Sequence, residues 1–169
     1  MKRAAIVLTI IIILTIVLVI SLYLNKESVE KKKEIFEKAE IILKYEDKEV
    51  ILNKGNIMLY DEDFEAVLDT STSEASYHLY KGVQLKDLLR DNNVKFQDKT
   101  IIIKGVDGFA VAYSSEEVLK DKNIYIAYME DGKYLGNRES GGRGPYESIV
   151  ASDTFSNRRC KWIVEIEVK

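Results

Sequence analysis

Residues 4–24 form a run of 21 positions without one charged side chain, AIVLTIIIILTIVLVISLYL preceded by Ala4. As a helix rising 1.5 Å per residue, this run is about 31 Å long, close to the hydrocarbon thickness of a bilayer. Inside lipid each backbone group must bond within its own segment, and a helix meets that condition. Thr9, Thr15 and Ser21 interrupt the run, but small hydroxyls can bond back to the preceding turn. A secretory signal has a shorter apolar region and a small-x-small cleavage site, whereas Ser21-Leu22-Tyr23-Leu24-Asn25 follows here. Residues 1–25 therefore read as an uncleaved transmembrane anchor.

Lys2 and Arg3 precede the span, and Lys26, Lys31, Lys32, Lys33 and Lys38 follow it. A bare count of cations would hold the C-terminal side in the cytoplasm. The later lysines are interleaved with Glu27, Glu30, Glu34 and Glu37, and a Lys-Arg start suits a signal anchor with its N-terminus inside. The expectation is a single-pass cell-membrane protein with its C-terminal domain extracytoplasmic.

Residues 26–40 alternate Lys and Glu in helical spacing and read as a stalk. Glu34/Lys38 is a favourable i,i+4 pair. Val29, Phe36 and Leu43 fall seven apart, but Lys32 occupies the other seam position, so a solvated helix is preferred to a coiled coil.

Residues 41–169 are enough for one core. Strands are expected at 49–52, 64–68, 76–80, 100–104, 109–113, 123–129, 149–150 and 162–168. In the last, Trp162, Val164, Ile166 and Val168 should share a face. Asp131-Gly132 is a hairpin-turn pair. Leu85, Leu88 and Leu89 make a helical stripe, and Ser114-Ser115-Glu116-Glu117 is a capping box opening a helix to Leu119. Strands outnumber helices without regular alternation, which indicates an α+β domain with a mixed, mostly antiparallel sheet.

Several chemistries are excluded. One cysteine, Cys160, permits no internal disulfide, and one histidine, His78, permits no zinc site built from several Cys and His ligands. The net charge of −3 argues against nucleic-acid binding by bulk charge. Asp61-Glu62-Asp63 fails the EF-hand spacing and reads as a solvated acidic turn. His78 reads as a structural strand residue. Cys160, between Arg159 and Lys161, reads as a small buried hydrophobe.

The informative stretch is 138–161. Gly141-Gly142-Arg143-Gly144-Pro145 precedes Arg158-Arg159-Cys160-Lys161, and Arg138 adds a fifth cation in an otherwise acidic domain. Glycine lets backbone N–H groups approach an anion, and guanidinium forks bind paired oxygens. The functional reading is an anion pocket; the alternative is a surface loop whose arginines pair with nearby acids.

The order of segments resembles the oxidoreductase molybdopterin-binding domain, the central domain of sulfite oxidases. Tyr80-Lys81-Gly82-Val83-Gln84-Leu85-Lys86-Asp87-Leu88-Leu89 is similar to its Y-x-G-V-P-L-x-D-L-L segment. Gly105-Val106-Asp107-Gly108-Phe109, Ile126-Ala127-Tyr128 with Asp131-Gly132-Lys133-Tyr134-Leu135, Gly144-Pro145-Tyr146, and Lys161 through Val168 match further pieces in order. The resemblance spans about Val50 to Val168. It implies a sulfite-oxidase-type fold and molybdopterin as cofactor, with Arg143, Gly144, Arg158 and Lys161 facing a pterin phosphate.

Catalytic members of that family bind molybdenum through a cysteine thiolate on the strand before the G-V-P-L segment. Here that strand is Phe64 to Ser71 and holds no cysteine. Glu147 stands where an arginine usually follows G-P-Y, and the family's pocket histidine has no counterpart. These departures argue against molybdenum. The expectation is a module that binds a pterin-type cofactor or another anionic small molecule without molybdenum catalysis and without catalytic or metal-ligating residues. The alternatives are an oxidoreductase using Asp69, Thr70 or Ser71 as an oxygen ligand, and a structural subunit with a membrane-protein partner.

Overall fold

The computed structural model describes residues 2–70 and 73–169, which fall into two compact units, the first ending at Lys31 and the second beginning at Lys32. Helix α1 runs from Lys2 to Glu37. Within the first unit, Ile10 to Leu14 and Ile16 to Ile20 are exposed apolar side chains. Thr15 Oγ1 donates to the carbonyl of Ile11 at 2.9 Å, the back-bond that lets a hydroxyl sit in such a helix. Among the described residues, α1 is the helix long and apolar enough to cross a membrane.

The second unit holds two five-stranded sheets. The first has the order β2 (Lys48–Leu52), β1 (Ile41–Tyr45), β10 (Ile163–Val168), β5 (Thr100–Gly105), β6 (Ala110–Ser114). The second runs β3 (Asp61–Thr70), β4 (Ser73–Gln84), β7 (Ile124–Glu130), β8 (Lys133–Tyr134), with β9 (Glu147–Val150) also on β7. β1 and β10 are parallel, and the other described strand pairs are antiparallel. Short helices α2 (Lys54–Met58), α3 (Leu85–Asp91) and α4 (Ser115–Leu119) link them. This is the expected α+β domain.

Alternation explains the core. Ile41, Leu43, Leu52, Ile101, Ile103 and Ile166 turn one face of the first sheet inward. They meet Leu85, Leu88 and Leu89 of α3, the stripe predicted from spacing. A smaller cluster lies on the second sheet, where Phe64 stacks on Tyr125 with ring centroids 3.7 Å apart. Ser114 caps α4 through the reciprocal box with Glu117. Asp131 and Gly132 both take positive φ between β7 and β8, as a tight hairpin requires.

Three expectations change. The solvated stalk helix expected over 26–40 ends at Glu37, and Leu43, seven positions after Phe36, lies in β1. Phe36 instead packs in the domain, stacked on Tyr128 at 4.5 Å. In the closing strand, Trp162 takes positive φ and the β10–β5 register shifts between Ile163 and Glu165. That bulge puts Ile163 in the core beside Ile166 and Val168 and leaves Val164 exposed. Asp61-Glu62-Asp63 is no free turn but the start of β3, where Tyr128 donates to Asp61 and Tyr125 donates to Glu62.

Candidate functional site

The glycine turn closes on itself. The N–H groups of Gly141, Gly142 and Gly144 donate to the carbonyls of Arg138, Asn137 and Gly136, at 3.0, 2.8 and 2.7 Å. A Cβ on Gly142 would stand 2.1 Å from the Leu135 carbonyl, so this position has room only for glycine. Trp162 ties the turn to the closing strand: its backbone N–H donates to Arg143 O at 2.9 Å and its indole N–H to Gly142 O at 2.7 Å. Three amides that could have received an anion are thus engaged within the turn. The neighbouring cleft, about 400 Å³, is lined by Val106, Pro145, Trp162 and Val164, with Arg138 and Glu139 at hand. It is apolar with a mixed rim rather than basic.

The four sequence-predicted residues do not share one pocket with free charge. Arg143 lies half-buried between two carboxylates, with Nη2 2.7 Å from Glu130 and Nε 3.1 Å from Glu147. Burial draws its pKa down, but Glu147 and Glu130 more than offset this, so the guanidinium stays charged. Gly144 is consumed by the turn. Arg158 holds Asp153 in a fork, both bonds at 2.8 Å, and reaches Glu117 of the α4 capping box at 2.7 Å. That pairing holds the Glu117 carboxyl below its ordinary pKa. Lys161 is exposed. For Arg143 and Arg158 the geometry is that of loop arginines paired with nearby acids.

A connected polar network lies behind these residues. Arg159, buried, donates to the Tyr80 hydroxyl at 2.9 Å and to the Val67 carbonyl, and its guanidinium lies over the Tyr80 ring. Tyr80 Oη in turn donates to Glu130 at 2.9 Å. Glu130 pairs with Arg143, and Arg143 with Glu147. Glu147 is fully buried on β9, with one carboxyl oxygen lacking a hydrogen-bond donor. Burial raises its pKa against the pull of Arg143, Arg159 and Lys161. The sequence offered no way to separate Arg159 from its neighbour Arg158; Arg158 ends the 3-10 turn Ser156–Arg158, whereas Arg159 follows it in extended conformation and is buried.

The network ends on strand β3, where the resemblance would place a metal-binding thiolate. Arg159 occupies the Val67 carbonyl, and the Ser156 hydroxyl, beside Asp69, bonds both its N–H and its carbonyl at 2.6 Å. Ser71 and the side chain of Thr70 lie outside the described residues. Cys160 is fully buried in the core, and burial pushes its thiol up to about 12. The described donors here are oxygens and guanidinium groups, and the candidate arginines already carry carboxylates. They do not fit a molybdenum centre held through sulfur.

Residues 55–169 match the oxidoreductase molybdopterin binding domain. The chain therefore belongs to that family. Among solved structures it resembles the sulfane dehydrogenase SoxCD from Paracoccus pantotrophus, at 15% identity and a TM-score of 0.64, over 79% of this chain and 38% of that one. The chain thus spans well under half of that protein's length, and the likeness establishes the fold of the second unit, a sulfite-oxidase-type molybdopterin domain. No curated protein matches.

Proposed function

We propose that this chain is a membrane-anchored, extracytoplasmic binding module of the molybdopterin-binding family that works without molybdenum catalysis. The observation that carries the reading is the pairing of Arg143 with the buried Glu147, an acid at the position where the family places an arginine. A carboxylate there opposes a phosphate. The thiolate-free β3 supports the same reading.

Family membership makes a pterin-type cofactor, or another small anion, the ligand class to test. Binding through Arg143 and Arg158 would require the ligand to displace a carboxylate from each guanidinium, which limits affinity. Lys161, exposed and beside the same segment, needs no such exchange. The length and apolarity of α1 support anchoring, and the acids interleaved with the post-span lysines support the outward placement.

The test is metal and pterin analysis of full-length protein purified from a molybdenum-replete host. The expected result is far less than one molybdenum per chain. One molybdenum per chain, removed together with the pterin, would establish the oxidoreductase alternative instead. Protease access to intact cells tests orientation, with digestion of the domain expected.

A further inference from the structure

Away from the glycine turn, strand β4 and the β7–β8 hairpin bring one histidine and two carboxylates together. We propose that His78, Glu130 and Asp131 form a site for a first-row divalent cation of the zinc class. His78 comes from β4, Glu130 ends β7, and Asp131 begins the hairpin turn. One ligand atom from each lies within 4.8 Å of the other two.

The spacing suits an ion. His78 Nδ1 is 2.8 Å from Asp131 Oδ2 and 3.3 Å from Glu130 Oε1. Ligands about 2.0–2.1 Å from zinc in a tetrahedron lie about 3.3 Å from one another, so both imidazole distances stand within about half an ångström of that geometry, and a turn of the Asp131 and Glu130 side chains, whose ligand atoms lie within 4.8 Å, completes it. Imidazole with two carboxylates is a donor set for borderline divalent ions rather than for calcium or magnesium, which take oxygen alone.

The ligands are already held in place. Asp131 donates its N–H to the Leu79 carbonyl at 2.7 Å and accepts the Leu79 N–H on Oδ1 at 3.1 Å, which leaves Oδ2 turned toward the imidazole. His78 Nε2 lies 2.9 Å from the Ser76 hydroxyl. When Nδ1 gives up its proton to take the metal, Nε2–H donates to Ser76, an outer partner of the kind that orients a ligating histidine. Tyr80 and Arg143 fix Glu130 through Oε1. The Arg143 charge opposes a cation there, so the site is weaker than one formed by three free ligands. Strand alternation puts Ser76, His78 and Tyr80 on one face, which brings this set together. The site shares Glu130 with the Arg143 pair, but zinc binding is tested without any pterin, so its outcome is read separately from the pterin reading.

The test is titration of chelator-stripped full-length protein, in detergent, with Zn²⁺ alone. One equivalent should bind, with Ser76→Ala weakening affinity about tenfold and Asp131→Asn or His78→Ala weakening it more. The chain has one histidine, so its imidazole ¹⁵N resonances are unambiguous and report on the wild-type protein even if a variant fails to fold. Zinc should shift the Nδ1 resonance in step with saturation. Unmoved imidazole resonances at full saturation, or failure to bind zinc at all, would overturn the proposal.

Discussion

Glu147 and Cys160 show how burial decides what a side chain can do. Glu147 has no exposed surface and holds Arg143 at 3.1 Å. Removing one partner of a buried pair leaves the other charge uncompensated, typically at a cost of about 3–5 kcal/mol. Arg143 keeps Glu130 at 2.7 Å, so Glu147→Ala should lower stability by less than that amount, and Glu147→Gln, which keeps an acceptor for Arg143, by less still; urea midpoints of the two variants check this. The Cys160 thiol, raised to about 12 and fully buried, holds almost no thiolate at pH 8. Iodoacetamide should leave it unmodified in the folded protein and alkylate it after denaturation, as mass spectrometry would show. Its burial was expected from a face shared with Trp162 and Val164, but Val164 is exposed and Cys160 is held inside by its bridge to Ser148; the inward turn of Arg159 was not legible either. Two adjacent arginines look alike until the end of a 3-10 turn falls between them.

At the scale of the element, Gly82 explains part of a motif. It sits at the register shift between β4 and β7, where an added Cβ would lie 2.4 Å from the Ile126 carbonyl. Gly82→Ala should destabilise the domain by about 1–3 kcal/mol, measurable by denaturant unfolding. Ser114→Ala removes the α4 cap and should cost about 1 kcal/mol. The first sheet also carries a cross-strand ladder on its outer face, with Lys104 between Glu165 at 2.6 Å and Glu167 at 2.7 Å, and Lys44 on Glu165 at 2.9 Å. Hydrogen bonds from Lys104 hold both glutamates below their ordinary pKa. Their stabilisation is complete above the unfolded carboxylate range and fades as pH falls through the lower folded values. Glu165→Gln should flatten the loss of stability between pH 5 and 3, read from urea midpoints across that window. Local chemistry made the α4 cap and the Asp131-Gly132 turn readable, since both depend on residues within four positions. The β10 bulge was not readable, because it depends on the strand that β10 pairs with.

At the scale of the whole molecule, the apolar helix and the family domain lead to different experiments. If α1 anchors the chain, the protein should remain in the membrane fraction through alkaline extraction, and deletion of residues 1–25 should release it to the soluble fraction. The domain's order of segments was readable in the motifs from Tyr80 to Val168. The state of its pocket was not, because a sequence records that arginines and glutamates are present but not which of them meet.

By itself, then, the sequence determined the long uncharged helix, the α+β class and the missing thiol of β3. The first two follow from residue type and short-range periodicity, which act along the chain; the third counts as missing only against the family that the chain resembles. Only the tertiary structure decided that the glycine amides bond within their own turn, that Arg143 and Arg158 are paired with acids, and that His78 meets Glu130 and Asp131 across some fifty residues. Electrostatic pairing falls off over a few ångströms, and those distances exist only once the strands are in register.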